Sequence, residues 1–235
     1  MTFEAPISPQ ALGSVELFAG LPPRALEVAA AAARRRLLPA GVRIFNQGDD
    51  NARAHAVIHG AVRISQSGSD GAQMLVRFIG PGEVFGAVAL FTHRRYPADA
   101  TAMDETLEAS WSEAELSELM MRHPKIAINA IRIIGERLQE MQERLRELAT
   151  QRAERRIAHT LIRLTRQSGH STAAGIAIRF PLRCKDVADV AGTTLHTASR
   201  TLTGWEKAGL LVRGGRRLTI RNLSRLERIA EAVTG

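Results

Sequence analysis

The chain has 235 residues, 45% of them hydrophobic, which suffices to bury a core and fits two domains better than one. No run of 18 apolar residues occurs, and the start, MTFEAPISPQ, lacks the basic flank and apolar stretch of a secretion signal; a soluble cytoplasmic protein with no membrane partner is expected. The single cysteine, Cys184, excludes an intrachain disulfide and any iron–sulfur cluster that takes four thiolates from one chain.

The net charge of +8 is unevenly placed. Residues 152–235 carry 16 Lys+Arg against 6 Asp+Glu, whereas residues 1–151 carry 16 against 18. Cations concentrated in the last third suit a polyanion, and nucleic acid is the partner they point to.

In chain order, residues 8–33 read as one or two short helices, with Pro22-Pro23 opening the second. The cations Arg34-Arg35-Arg36 after the alanine run read as a helix end, where positive charge suits the dipole. From Leu37 to Trp111 the period falls to two: Val42 and Ile44, Val57, Val62 and Ile64, then Met74, Val76 and Phe78 alternate with polar or small residues between glycine turns. This pattern predicts an antiparallel β-roll over residues 1–123, together with the N-terminal helices.

Residues 124–150 change period again. Ala127, Ile131, Ile134, Leu138, Met141, Leu145 and Leu148 recur at steps of four and three, the seam of a two-stranded coiled coil, so this helix is predicted to dimerise. A second stripe, Ile126, Ala130 and Ile133, ends at Arg137. The first half of the helix is therefore expected to touch its own N-terminal domain and the partner, and the second half the partner alone.

Residues 151–235 open with an amphipathic helix marked by Ile157, Leu161 and Leu164, followed by a short strand at 176–180. Lys185 to Gly192 reads as a short helix with Ala188 inward and Gly192 closing it in a left-handed turn. On the next helix, Leu195 to Ala208, the residues Leu195, Ala198, Leu202 and Trp205 share the packing face, while His196, Ser199, Arg200 and Thr203 share the free one. A hairpin with a Gly214-Gly215 turn follows, flanked by Arg213, Arg216 and Arg217. In succession these pieces predict a winged helix-turn-helix in an α+β chain. Arg200 is the candidate for a bidentate contact to guanine; Lys185, Thr194, Thr197 and the wing arginines are candidates for phosphates. Cys184, between Arg183 and Lys185, is either a small buried residue or a thiol sensor. No metal-ligand spacing, nucleophile elbow or phosphate loop appears, and Gly80-Pro-Gly82 lacks the Lys-Ser/Thr that such a loop needs, so an enzyme is not expected.

The order of helices, β-roll, dimer helix and winged helix-turn-helix resembles the Crp/Fnr family of bacterial transcription regulators. The resemblance rests on Ile58-His-Gly-Ala-Val-Arg-Ile64, Gly80-Pro-Gly-Glu-Val-Phe-Gly86, the long helix and Gly192-Thr-Thr-Leu-His-Thr-Ala-Ser-Arg-Thr-Leu202. It implies a homodimer on an inverted-repeat DNA site, an effector in a cyclic-nucleotide-binding-like roll that repositions the two reading helices, and RNA polymerase as a further partner. The Ser199-Arg200 pair resembles the pair that reads T and G in a TTG-like half-site, while His196 stands where many relatives have Glu, leaving that base pair open.

The resemblance places the effector pocket at Gly86, Ala87, Val88, Arg95, Tyr96, Pro97 and Ala98. Cyclic-nucleotide binders of the family resemble Gly-Glu-x-Gly followed by Arg-Ser-Ala. Here Ala87 replaces the Glu, and no arginine is in register, Arg94 and Arg95 lying just before; cyclic AMP is not expected. Tyr96-Pro97-Ala98 and the His-containing reading helix look most like the nitric-oxide-responsive, denitrification-type branch, which implies haem sensing NO or CO. His93 is then the candidate iron ligand, with His55, His59 and His123 as the others. An organic anion remains open, and so does no ligand at all, with Phe85, Val88, Leu90 and Phe91 filling the pocket.

Overall fold

The segments that alternate between Leu37 and Trp111 pair into antiparallel sheets. The computed structural model describes residues 7–68, 73–92, 95–215 and 217–232, in two units, Met1–Gln139 and Glu140–Gly235.

The first unit opens with α1 (Pro9–Gly13), a 3-10 turn at Glu16–Phe18 and α2 (Pro23–Ala32). Strands β1 (Arg34–Leu38), β2 (Arg43–Phe45), β3 (Arg53–His59), β4 (Val62–Ser67), β5 (Gln73–Ile79) and β6 (Val84–Phe85) follow, then α3 (Val88–Phe91), β7 (Asp99–Ala102), β8 (Thr106–Ser112), α4 (Glu113–Arg122) and the long α5 (Lys125–Thr150). Two four-stranded sheets form, in the orders β1-β8-β3-β6 and β2-β7-β4-β5.

Alternation along β3 and β8 sends side chains to two different cores. Ala54, Ala56, Ala109 and Trp111 join Leu12, Phe18, Ala29, Leu116, Ile126 and Ile133 of the helices. The alanines let helices approach the sheet closely, and Trp111 fills the space, its ring 4.9 Å from Phe18 and its Nε1 donating to Ala29 O at 2.9 Å. The opposite face packs Val57 and Phe85 against Phe45, Val62, Ile79, Tyr96 and Ala100.

Two sequence expectations change here. Arg34-Arg35-Arg36 do not end a helix; α2 stops at Ala32 and the arginines begin β1. Met74, Val76 and Phe78 do not share an inward face. Ile64 pairs with Arg77 and Ser65 with Leu75, so a bulge at Val76 shifts the period and buries Leu75 together with Phe78. The turn expected at Gly68–Gly71 falls largely on residues 69–72, which lie outside the described residues.

On α5 the stripe Ile126, Ala130 and Ile133 packs on the first unit, and Asn129 Nδ2 donates to Leu17 O and Ala19 O at 3.0 and 3.1 Å. Arg137 closes the stripe with Nη2 on Glu16 Oε1 (3.3 Å) and Glu83 Oε1 (3.0 Å). Glu16 also accepts from Val84 N, and burial raises its pKa against that bond and Arg137. The seam residues Ile131, Ile134, Leu138, Met141, Leu145 and Leu148 are 47–71% exposed in the single chain.

The second unit continues α5 and adds α6 (Ala153–Ser168), β9 (Gly169–Thr172), β10 (Gly175–Ile178), α7 (Cys184–Val190), α8 (Leu195–Lys207), β11 (Leu211–Gly214), β12 (Arg217–Ile220) and α9 (Leu223–Glu231). Its sheet has the order β11-β12-β10-β9. The last turns of α5 do not serve the partner alone. Glu147 is buried and accepts from Arg163 Nη1 and Nη2 at 2.7 and 3.2 Å, and Arg144 Nη2 donates to Val190 O at 2.8 Å. Among the described residues no helix is long and apolar enough to cross a membrane.

Gly192 takes φ +60°, the left-handed turn that α7 needs before α8. A Cβ there would stand 2.3 Å from Leu148 Cδ2. Gly192→Ala is expected to cost about 1–3 kcal/mol, from backbone strain and displacement of Leu148, measurable as a lowered urea midpoint of the second unit. An unchanged midpoint would mean that the turn tolerates a side chain.

Candidate DNA interface and effector site

The candidate reading helix α8 is capped by Thr194, whose Oγ1 accepts from Thr197 N at 3.2 Å, so both threonines are occupied in capping the helix. Ala198, Leu202 and Trp205 are buried beneath it, and Trp205 Nε1 donates to Glu154 Oε1. Leu195, expected on this packing face, is exposed because it precedes the first turn that meets the core. His196 and Arg200 are exposed, and Ser199 and Thr203 half-buried beside them, so the four expected readers share the outward face. Arg200 makes no hydrogen bond or ion pair among the described residues, which leaves its planar fork of five N–H donors for a ligand.

The other cations differ. Lys185 pairs with Asp189 one turn along α7, Nζ to Oδ2 3.1 Å, an exposed pair of little energetic weight. Gly214 pairs with Arg217 at the end of the wing, so it belongs to the strand and not to the turn where the sequence placed it. Arg217 is exposed, and Arg216 lies outside the described residues. Arg213 is not presented outward: it donates to Glu206 and Thr203. The sequence placed it with the phosphate candidates; in the structure its guanidinium hydrogen bonds run to protein groups.

Arg200→Ala is expected to relax preference at one base pair, with a loss of about 1–3 kcal/mol on the preferred duplex alone. Arg217→Ala is expected to weaken all sequences alike and to lower the salt slope by about one. Affinity measured on two duplexes across a salt series separates the two roles. Equal loss on both duplexes for the Arg200 variant would contradict its reading role.

The effector segment begins at Gly86, with φ +73°, where a Cβ would meet Arg53 O and His55 Cδ2 at 2.9 Å. The chain here lies so close to β3 that only glycine fits. Ala87 caps α3, Val88 is exposed and Leu90 belongs to the Trp111 core, so Val88 and Leu90 do not fill the roll as the closed-pocket expectation had them. Phe85 does; the side chain of Phe91 and all of His93 and Arg94 lie outside the described residues. Arg95 points out to Asp50, Nε to Oδ1 3.0 Å, both largely exposed. Pro97 is exposed, its carbonyl accepting from Gln66 Nε2, and Ala98 is buried.

Tyr96 occupies the roll. Its ring stacks on Phe45 with centroids 3.6 Å apart and planes 5° from parallel. Its hydroxyl accepts from Arg53 N at 2.7 Å and lies 2.9 Å from His55 Nε2. His55 Nδ1 is 2.7 Å from Glu108 Oε2; an ionised carboxylate only accepts, so the ring donates there. Arg36 Nε donates to the other oxygen, Oε1. Burial opposes a charge on Glu108, but the bonds from His55 and then Arg36 outweigh it and hold the carboxyl below its ordinary pKa. Burial pushes the Tyr96 phenol upward against the Arg53 N–H.

Sequence reasoning missed Glu108, and it read Arg36 as a helix-end cation and not as its partner. The one available signal was the polar alternation Thr106, Glu108, Ser110 beside Trp111, which looks like a solvent face and is here the inner one.

These residues do not fit the ligands the resemblance raised. A cyclic nucleotide would need an acceptor where Ala87 stands and a cation where Tyr96 is packed. His55 has both ring nitrogens engaged, His59 is exposed and His123 caps α4, so no described histidine suits an iron ligand in the roll.

Comparison with known proteins gives two matching family models, a cyclic nucleotide-binding domain over residues 35–123 and a Crp-like helix-turn-helix domain over residues 155–229. The Cyclic AMP receptor protein of Thermus thermophilus is 31% identical over 214 residues, 91% of this chain and 96% of its own. The nitrogen fixation regulation protein FixK of Azorhizobium caulinodans is 31% identical over 186 residues, 77% of this chain and 74% of its own. Among solved structures, the Thermus thermophilus catabolite activator protein aligns with TM-score 0.53 at 31% identity, covering 92% of this chain and 98% of its own. FixK2 from Bradyrhizobium japonicum aligns with TM-score 0.73 at 24% identity, covering 86% and 99%, and shows the fold.

Proposed function

The chain belongs to the Crp/Fnr family of DNA-binding transcription regulators, and we propose that it acts as a homodimer that binds an inverted-repeat site without cyclic AMP. The observation that carries this is Tyr96, stacked on Phe45 inside the roll and bonded through its hydroxyl to Arg53 and His55. With that ring in place the roll interior is made of its own side chains, and the family architecture is retained without the residues that would bind a nucleotide.

Dimerisation through α5 is supported by the exposed seam, six large apolar side chains on one stripe, an arrangement that water disfavours and a second copy covers. DNA reading falls to His196, Ser199, Arg200 and Thr203, with Arg217 and Lys185 on phosphates. Two-fold symmetry then sets half-site centres about 34–36 Å apart. RNA polymerase is the machinery on which such a bound dimer acts.

Selection from a randomised duplex pool with purified protein and no added nucleotide tests this. Recovery of inverted repeats with that spacing is expected. Enrichment only when cyclic AMP is present would overturn the nucleotide-free reading, and enrichment of single half-sites would overturn the dimeric one.

A further inference from the structure

Arg213 stands in the wing, but its guanidinium turns inward and joins three elements. Nε and Nη2 donate to Glu206 Oε2 at 3.0 and 2.8 Å, Nη2 also donates to Thr203 Oγ1 at 2.9 Å, and Nη1 donates to Cys184 Sγ at 3.4 Å. The backbone takes part as well, Arg213 N donating to Glu206 Oε1 at 2.8 Å. Both Glu206 oxygens are thus committed to one wing residue, and four of the five guanidinium hydrogens to groups on α7 and α8. The side chain is only 23% exposed.

The space beneath explains why a polar bridge matters here. Between α7, α8 and the hairpin lies a cleft of about 380 Å³, with Leu182, Val187, Leu202 and Leu218 among its walls. Where side chains do not fill a space, packing cannot fix the distance across it. The guanidinium spans the gap instead, anchored at Glu206 Oε2, while the Arg213 backbone N–H holds Oε1.

We infer that Arg213 is a positioning residue for DNA reading: through Glu206 it sets the angle between wing and reading helix and aims the Thr203 hydroxyl. The inference rests on α8 being the reading helix. It assigns Arg213 to specificity, with no share in neutralising phosphate, and it gives Glu206 a task on a surface where an acidic group by itself repels DNA.

Glu206→Gln and Arg213→Ala separate these roles when affinity is measured for the duplex selected by the wild-type protein and for a random-sequence duplex of equal length, each across a salt series. Removing the Glu206 charge should, by electrostatics alone, tighten both complexes. A strut predicts the opposite: each variant weakens the selected complex about tenfold and the random one far less. The salt slope should stay at the wild-type value, because no phosphate contact is lost. Because the two residues act as one unit, the double variant should be no weaker than the weaker single.

A slope reduced by about one in Arg213→Ala, with discrimination intact and Glu206→Gln silent or tighter, would make Arg213 a phosphate contact and overturn the inference. Equal losses on both duplexes with a lowered unfolding midpoint would reduce the bridge to ordinary stability and overturn it too. A wild-type protein that itself prefers no sequence would instead remove the reading on which the inference stands.

Discussion

Replacing Leu138 and Leu145 together by aspartate is expected to yield a monomer and to lower affinity for an inverted-repeat duplex by a factor on the order of 10³. Both side chains are more than half exposed in the single chain and lie on the seam with Ile131, Ile134 and Met141. A carboxylate at a coiled-coil core position would face its copy in a dry interface, where an ionised group without a partner is not tolerated. Each subunit should still fold, because the stripe that α5 gives to its own first unit, Ile126, Asn129 and Ile133, is untouched. Light scattering reads the mass and anisotropy reads the affinity. The loss arises from tethering: one half-site bound no longer holds the second reading helix near its own. A variant that remains dimeric, or binds the repeat as tightly as before, would place the dimer contact elsewhere.

The second large effect is expected in the roll. Glu108→Ala would strip the buried His55 of its carboxylate and leave the partly exposed Arg36 without its inner partner, and should destabilise the first unit by about 3 kcal/mol. Glu108→Leu combined with His55→Phe should lose much less, since apolar atoms would replace the paired groups together. Trp111 fluorescence follows the first unit in urea, with Trp205→Phe removing the signal of the second. If the single and paired substitutions cost the same, the cost is one of packing and not of stranded charge.

The pH dependence follows in sign from the same pair. Because the folded Glu108 pKa lies below its unfolded value, its contribution is full above the ordinary carboxylate pKa of about 4.3 and is lost as pH falls through the lower folded value. The stability difference between wild type and Glu108→Gln should therefore be constant near pH 6 and shrink below about pH 4.

Elements announced by local periodicity were legible in the sequence. The seam and the inner stripe of α5 recur within a turn or two, and the stripe ends at Arg137, where the structure turns from apolar packing to the Glu16 and Glu83 ion pairs. The helix-turn-helix was legible for the same reason, with Ala188, Gly192 and the exposed face of α8 all within twenty residues. Long-range pairing was not. Arg36 and Glu108 are 72 residues apart and His55 and Glu108 are 53, and neither neighbourhood marks those residues as inward-facing. The bulge in β5 likewise depends on β4, so period-two counting placed Val76 inward and missed Leu75. Helix α9 carries only a short local signature, Asn222 capping it and Leu226 and Ala230 four apart on its buried side. In the wing, composition alone made Arg213 look like its neighbours; only its contacts with Glu206 and Thr203 distinguish it.

At the effector site the sequence showed that a glutamate and an arginine were missing. What stands in their place became visible only when Tyr96 was seen against Phe45, His55 and Arg53. The most direct measurement is a titration of the selected inverted-repeat duplex with purified protein, by fluorescence anisotropy, without nucleotide and at saturating cyclic AMP, with calorimetry of cyclic AMP added to the protein alone. The expected result is tight binding with one isotherm in both conditions and no heat of nucleotide binding. An isotherm that appears only with cyclic AMP, accompanied by a saturable heat, would show that Tyr96 yields its place to a ligand and would contradict the closed roll.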